Sequence, residues 1–444
     1  MKNKLKGLVV LFSLLCLQTS AQERKTLSLN EAIDLGIKNS KQLKNSDAKI
    51  EEATAALKEA VEKKLPDAKI SGSYLRLNSA NFDLKTKSNN SGGGTGTSEA
   101  PNISQAAYGI LNIYLPVYSG GKIKYGIQSS EFLEKAARLD AQDDKDEVIQ
   151  NTIEAFANLF KAGTAVKLVK ENLLQSQQRT NDLTNMEKNG LLARNDLLKA
   201  ELQSSNTELS LLDAENNWQL ANVNMNLMLG LPTSTELVLD TAGVERKDDS
   251  RVLDDYLQAA FSNRKDIAAV DYRKKAAETG VKTSKAELYP SLGLTGGYIA
   301  ADVPHVFSVT NAVNLGVGVS YNIGSLWKNK SKVQQTEAKV KQLVIAESMM
   351  DDNIRLQVNK SYLSLVSFRK KIEVYAKAVI QAEDAYRVVK NKFDNNLATT
   401  TDLLDADVAQ LQARLSYTLA RADAFVAYNK LLQTAGILST DLKK

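Results

Sequence analysis

Residues 371–406 read KIEVYAKAVIQAEDAYRVVKNKFDNNLATTTDLLDA, and this stretch decides the fold. Ile372, Tyr375, Val379, Ala382, Tyr386, Val389 and Phe393 alternate three and four apart, the heptad seam of helices that pack side by side. The stripe is narrow and its surroundings are polar, so the helix meets neighbours and also faces water. The seam stops at Asn395-Asn396, where a left-handed turn is easy. A return helix begins after Thr399, Thr400 and Thr401, all ready caps.

The same grammar extends in both directions. Neither glycine nor proline occurs between Gly324 and Gly436, and no proline occurs between Pro116 and Pro232. Helix interiors exclude proline and disfavour glycine. The earlier stretch breaks at Asn189-Gly190, and Val166, Val169 and Leu173 open the same seam there. Each stretch predicts a long helix of roughly 65 residues and a return helix of roughly 38; at 1.5 Å per residue the long one spans about 100 Å. Helices of that length do not belong to a compact globule.

The chain also repeats itself. A shift of 224 overlays residues 29–74 on 253–298 without a gap, with Leu29 on Leu253, Asn39 on Asn263, Pro66 on Pro290, Gly72 on Gly296 and Tyr74 on Tyr298. A shift of 206 sets Gly190 on Asn396, Asp196-Leu197-Leu198 on Asp402-Leu403-Leu404, and Gly230-Leu231 on Gly436-Ile437. Internal repeats define architecture before any motif does. The expected organisation is a signal peptide at 1–21 and repeats at 22–245 and 246–444. The first repeat holds a β-hairpin near 67–119 and a long helix hairpin over 122–230. The second holds a β-hairpin near 290–323 and a long helix hairpin over 326–436.

Between helices lie candidate strands near 67–79, 105–119, 290–301 and 313–323. The last alternates cleanly: Val313, Leu315, Val317, Val319, Tyr321 and Ile323 against Asn314, Gly316, Gly318, Ser320 and Asn322. Its length suits a tilted membrane crossing, and a soluble sandwich would give the same pattern. Tyr108, Tyr114, Tyr118, Tyr298 and Tyr321 are candidates for an interfacial aromatic belt, or simply reflect the strand preference for tyrosine. The loop 80–104, with Ser91-Gly92-Gly93-Gly94-Thr95-Gly96, is long and polar, as the outer loops of membrane barrels are. Four strands cannot close such a barrel, because the smallest have eight, and lipid forbids an open edge. If these strands span a bilayer, several chains share one barrel: two chains give eight strands, three give twelve.

Composition narrows the function. Lys2, Lys4 and Lys6, the apolar run Leu8 to Leu17, and Thr19-Ser20-Ala21 read as an export leader. Its loss removes the only cysteine, Cys16, whose preceding Leu15 is bulky for a lipidation site, and leaves 54 basic against 52 acidic residues. A near-neutral chain offers no charge support for nucleic-acid binding. No later apolar run is long enough for a membrane helix. His305, the only histidine, has no cysteine beside it to make a metal site and no triad to anchor. The Gly-rich 92–96 lacks the lysine and the following helix of a phosphate loop. Neither cofactor nor enzyme chemistry is expected.

Two β-hairpins set into duplicated, very long helices resemble the TolC family of outer-membrane factors, over nearly the whole chain after the leader. The sharpest local piece is Leu115-Pro116-Val117-Tyr118-Ser119-Gly120-Gly121-Lys122, similar to the family's elbow from strand into long helix. Tyr321-Asn322-Ile323-Gly324-Ser325-Leu326-Trp327 is a more divergent second copy. Asn189-Gly190-Leu191 and Asn396-Leu397 are similar to the family's hairpin tips, and Asp402-Leu403-Leu404-Asp405-Ala406 to its Asp-Val-Leu-Asp-Ala. The resemblance implies a mostly α protein with a membrane β-barrel portion. Three protomers would share one twelve-stranded barrel, continued by a tunnel of coiled-coil helices into the periplasm. It implies an outer-membrane channel of a tripartite efflux or type I secretion system, a homotrimer whose tips meet a periplasmic adaptor and, through it, an inner-membrane pump. A structural periplasmic coiled-coil protein without a pore is the alternative; it has no need of four strands with glycine elbows.

The resemblance also assigns residues. Asp402 and Asp405 match carboxylates that ring the constricted periplasmic entrance, and Asp196, at the equivalent place in the first repeat, matches an acid that the family pairs with an arginine as a closing latch. The plainer role of all three is to offset the helix dipole in a first turn. The family's latch is not carried over, because Ala398 stands where it has arginine and Phe393 where it has tyrosine; closure would rest on Arg194, on packing, or on nothing similar. Gly190, Leu191, Leu197, Asn396, Leu397 and Leu403 would face the adaptor, against a plainer reading as turn chemistry and self-packing.

Overall fold

The computed structural model describes residues 24–80, 103–240, 251–304 and 307–441. The leader with Cys16, the Gly-rich loop and His305 lie outside the described residues. In chain order the elements are β1 (Arg24–Leu27), α1 (Leu29–Asn39), α2 (Lys41–Glu62), β2 (Asp67–Ala80), β3 (Ile103–Tyr118), α3 (Lys122–Lys188), α4 (Arg194–Leu229) and β4 (Glu236–Leu239). Then follow α5 (Leu253–Asn263), α6 (Lys265–Ala286), β5 (Ser291–Val303), β6 (Phe307–Ser320), α7 (Ser325–Asp394), α8 (Thr400–Thr434) and α9 (Leu438–Asp441). The chain is thus mostly helical with few strands. α3 and α7 run 67 and 70 residues. The helix pair α1–α2 and the pair α5–α6 carry the same bounds 224 residues apart. All seven seam positions of α7 from Ile372 to Phe393 are half-buried.

The chain divides into two compact units, each drawing on both repeats: residues 1–48, 139–267 and 349–444 form one, and 49–138 with 268–348 the other. The first is all helix but for β1 and β4, which pair in parallel with Arg24 opposite Glu236 and Leu27 opposite Leu239. Its core gathers Leu27, Ile33, Ile153, Phe156, Met225, Tyr256, Val358 and Leu431, all nearly or fully buried. The Asn222 and Asn226 amides donate to the Thr235 carbonyl at 2.7 and 2.8 Å, and Asn222 Oδ1 accepts from the Leu237 amide at 3.0 Å. These bonds pin the chain entering β4 to α4, as buried backbone polar groups require. Gly230 and Gly436 end α4 and α8 in the left-handed region, with φ of 69° and 68°. At each, the next amide reaches back five residues: Leu231 to Asn226 and Ile437 to Leu432, both 2.9 Å.

The second unit is built on one antiparallel sheet in the order β2-β3-β5-β6. Cross-strand partners share a face. One face carries Ile70, Leu111, Ile113, Leu115, Leu292, Leu294, Val313, Leu315, Val317 and Val319; the other, mostly polar, carries Ser71, Ser73, Asn112, Tyr114, Thr295, Asn314 and the glycines 293, 297, 316 and 318 together with Leu75, Ile110 and Ile299. Leu315 is 88% exposed and Ile70 81%. The register corrects the tyrosine belt: Tyr298 and Tyr118 pair onto the apolar face, whereas Tyr108 and Tyr114 stand on the polar one, where Tyr114 covers Gly293. β6 also begins earlier than the alternation predicts. Asn311 takes a left-handed φ of 59°, and the register shifts between Ile299 and Ala301. This bulge breaks the period-two pattern ahead of Ala312. No helix among the described residues is long and apolar enough to cross a membrane.

Candidate functional site

The two helix hairpins end in matching turns. Gly190 and Asn396 take left-handed φ of 72° and 56°. In the first turn the amides of Gly190 and Leu191 reach the carbonyls of Glu187 and Met186, both at 2.9 Å. In the second, Asn396 and Leu397 reach Phe393 and Lys392 at 2.9 and 2.7 Å. Both turns therefore satisfy the carbonyls orphaned at a helix end in the same way. Gly190, Leu191, Asn396 and Leu397 are all exposed, Leu191 at 70% and Leu397 at 76%. Leu197 and Leu403 are not available to a partner, which corrects their assignment to the docking surface: they are 1% and 3% exposed. Leu197 packs with Leu183, Ala200 and Leu404, flanked by Met186, Leu192 and Phe393. One turn into a return helix, an apolar residue buries itself against the opposite hairpin rather than facing out.

The return helices start differently. α8 opens with a reciprocal box: Thr399 Oγ1 accepts from the Asp402 amide at 3.1 Å, while Asp402 Oδ2 accepts from the Thr399 amide at 2.9 Å and its hydroxyl at 2.7 Å. The hydroxyl and amide of Thr399 hold the Asp402 carboxyl below its ordinary value. α4 opens at Ala193, which has no side chain to cap with. Its first-turn acid, Asp196, pairs with Lys199 at 3.2 Å, and Lys199 also donates to Thr401 Oγ1 on α8 at 3.2 Å. Asp405 is exposed. Asp402 is thus occupied in capping and Asp196 in an ion pair. Arg194, considered above as a substitute latch, is exposed on the first turn of α4.

Deeper in the hairpins lies a network that the sequence did not single out. Asp407 on α8 is 1% exposed and pairs with Arg179 on α3, which is 10% exposed, at 3.1 Å. Asn172 on α3 donates to Asp407 at 3.1 Å, and Arg179 donates to the Tyr386 hydroxyl on α7 at 3.1 Å. Burial works against the guanidinium charge, and Asp407 and Tyr386 more than restore it, so the pKa of Arg179 is raised. Nothing local marks these residues, because their sequence separations exceed 200. At the repeat-related positions stand Ala378, Ala385, Thr180 and Glu201, so the network exists once per chain.

Chemistry of other kinds finds little foothold. Among the described residues no cluster of His, Cys, Asp or Glu is placed to hold a metal. A hollow of about 530 Å³ beside α3, α4 and α8, lined in part by Asn158, Lys161, Ser210, Asp213 and Asn217, is open to solvent.

The sequence profile of the family described as outer membrane efflux protein matches residues 32–231 and 256–437. The outer membrane efflux protein BepC of Brucella suis biovar 1 (strain 1330) is 22% identical over 328 residues, covering 73% of this chain and 71% of BepC. The outer membrane protein VceC of Vibrio cholerae superposes with a TM-score of 0.74 at 19% identity, over 92% of this chain and 96% of VceC. The outer membrane channel CmeC of Campylobacter jejuni gives 0.76 at 17% identity, over 94% and 88%. At these identities the superpositions establish a common fold.

Proposed function

The chain belongs to the outer membrane efflux protein family, an outer-membrane channel and not an enzyme, and from that premise we propose that it is the passive exit duct of a tripartite efflux or type I secretion system. Three copies close one twelve-stranded barrel and one helical tunnel. The tips engage a periplasmic adaptor and, through it, an inner-membrane pump. The two repeats, 22–245 and 246–444 behind a leader at 1–21, are products of a duplication.

One observation carries this reading: the sheet has an apolar face, a polar face and two open edges, β2 and β6. Lipid would solvate the first face, and the second would line a wet passage. The edges need sister strands, because unpaired backbone groups in hydrocarbon cost several kcal/mol each. The helices carry the same signal. Leu198, Leu202, Leu209, Leu212, Leu220 and Leu227 form an exposed stripe on α4 at heptad-like spacing. Met349, Leu356 and Leu363 on α7 stand seven apart and exposed. Such stripes suit contact with a second copy. Gly190, Leu191, Asn396 and Leu397 are the proposed adaptor contacts, and Asp402, Asp405 and Asp196 the proposed acids of the entrance.

Native mass spectrometry in detergent, with conductance in planar bilayers, tests the proposal. Trimers that conduct ions support it. A monomer that stays water-soluble and shows no affinity for micelles ends it. Trimers that bind detergent but never conduct would favour the structural coiled-coil reading.

A further inference from the structure

The sheet has a charged end. Where its strands meet the helices, exposed lysines crowd into a short length of each chain segment: Lys63 and Lys64 after α2, Lys122 and Lys124 opening α3, Lys285 ending α6, and Lys328, Lys330 and Lys332 opening α7. Among the described residues at the other end, the charged side chains are Arg76 and Asp302, one of each sign.

The nearby acids are already engaged. Glu287 takes Lys332 at 2.6 Å and Lys122 at 3.5 Å, Glu59 takes Lys63 at 3.3 Å, and Glu337 takes Lys285 at 3.2 Å. Asp67 pairs in register with Tyr114 and so stands on the polar face. Lys64, Lys124, Lys328 and Lys330 make no ion pair among the described residues. Geometry sorts them further. Two steps along a helix turn about 200°, so Lys124 points away from the side on which Lys122 meets Glu287, and Lys330 away from that of Lys332, whereas Lys328, four positions before Lys332, shares the Glu287 side. Lys330 shares its face with Leu326 and Trp327, four and three positions before it. These two apolar side chains are 57% and 66% exposed. Tyr321 and Ile323, between β6 and α7, are exposed as well.

The arrangement is therefore layered: an apolar strand face, then an exposed tryptophan, then cations without partners. Tryptophan seats at the headgroup level of a bilayer, and lysine reaches past it to the phosphate. We infer that Lys64, Lys124 and Lys330, with Leu326 and Trp327, form a collar that binds the phosphates of anionic glycerophospholipids in the leaflet on the helical side of the sheet. The inference rests on the reading of the sheet as lipid-embedded and adds a headgroup preference to it.

The test uses the full chain reconstituted in vesicles of phosphatidylethanolamine with a minority of phosphatidylglycerol. Conductance is recorded on the same vesicles, and native mass spectrometry counts the lipids that stay bound. The wild type should retain phosphatidylglycerol above its bulk share. Neutralising one lysine, Lys330→Gln, should lower that enrichment about fivefold, and the three-lysine variant (K64Q, K124Q, K330Q) should abolish it while still conducting. The matching set of Lys→Arg changes should keep it. Inorganic phosphate added in excess should leave the enrichment intact. Retention of the two lipids in bulk proportion by a conducting wild type overturns the collar alone. So does undiminished enrichment in the three-lysine variant, or displacement by inorganic phosphate, which would mark a site for the free anion. A chain that neither inserts nor conducts overturns the channel reading and the collar with it.

Discussion

The Gly190 tip and the Asn396 tip stand 206 residues apart in the internal repeat and share one turn geometry, yet they are held by different means. In the second, Thr399 and Asp402 satisfy each other and the first backbone amides of α8. In the first, Ala193 leaves those amides of α4 without a side-chain cap, and Lys199 ties the start of the helix to Thr401 across the hairpins. Lys199 stands at the position that Asp405 fills in the other copy. The backbone turn is the same at both tips while the charges around it differ. Turn geometry is fixed by the chain's own hydrogen bonds, whereas side-chain electrostatics answer to whatever faces the tip.

The largest expected effect tests whether the hairpins are locked on one side only. Arg179→Ala or Asp407→Ala strands a buried charge and should cost about 3–5 kcal/mol in denaturant unfolding. The repeat-related Glu201→Ala should cost within about 0.5 kcal/mol, as surface changes do. Equal losses at both places would erase the asymmetry. Next, Gly190→Ala forces a side chain into the left-handed region and should cost about 1–2 kcal/mol, while Asn396→Gly, which relieves that region, should be nearly neutral in the same assay. Thr399→Ala should then cost about 1 kcal/mol by removing a cap, and Ala193→Ser should gain up to about 1 kcal/mol by supplying one. Amide exchange at residues 195–197 and 401–403 would resolve the two.

The smallest effect is acid sensitivity. Because the folded pKa of Asp402 is lowered, its contribution is present above the ordinary carboxylate value of 3.8 and is lost as pH falls through the depressed one. Exchange at the start of α8 should quicken over that window, and Asp402→Asn should remove the dependence. A dependence that survives the substitution would assign the effect elsewhere.

Much of this was legible beforehand. Absent glycine and proline marked α7 and α8, and the offsets of 224 and 206 placed four helices and four glycine or asparagine turns. What stayed hidden had physical reasons. β1 and β4 span four residues each, too few for any period to show. The bulge at Asn311 scrambled the first half of β6. Leu197 and Leu403 looked like tip residues by position, but a leucine one turn into a packed hairpin lowers its free energy by turning inward. Arg179 and Asp407 are single charges on polar helices whose meeting depends on tertiary packing alone.

A ring built from copies of this chain alternates two kinds of knob, one glycine-turned and bridged by lysine, the other asparagine-turned and boxed by threonine. A binding protein indifferent to the distinction would saturate at twice the subunit number; one that discriminates would stop at parity. Stoichiometry alone, measured without any structure of the complex, would therefore reveal whether the divergence of the duplicated turns is read by what docks on them.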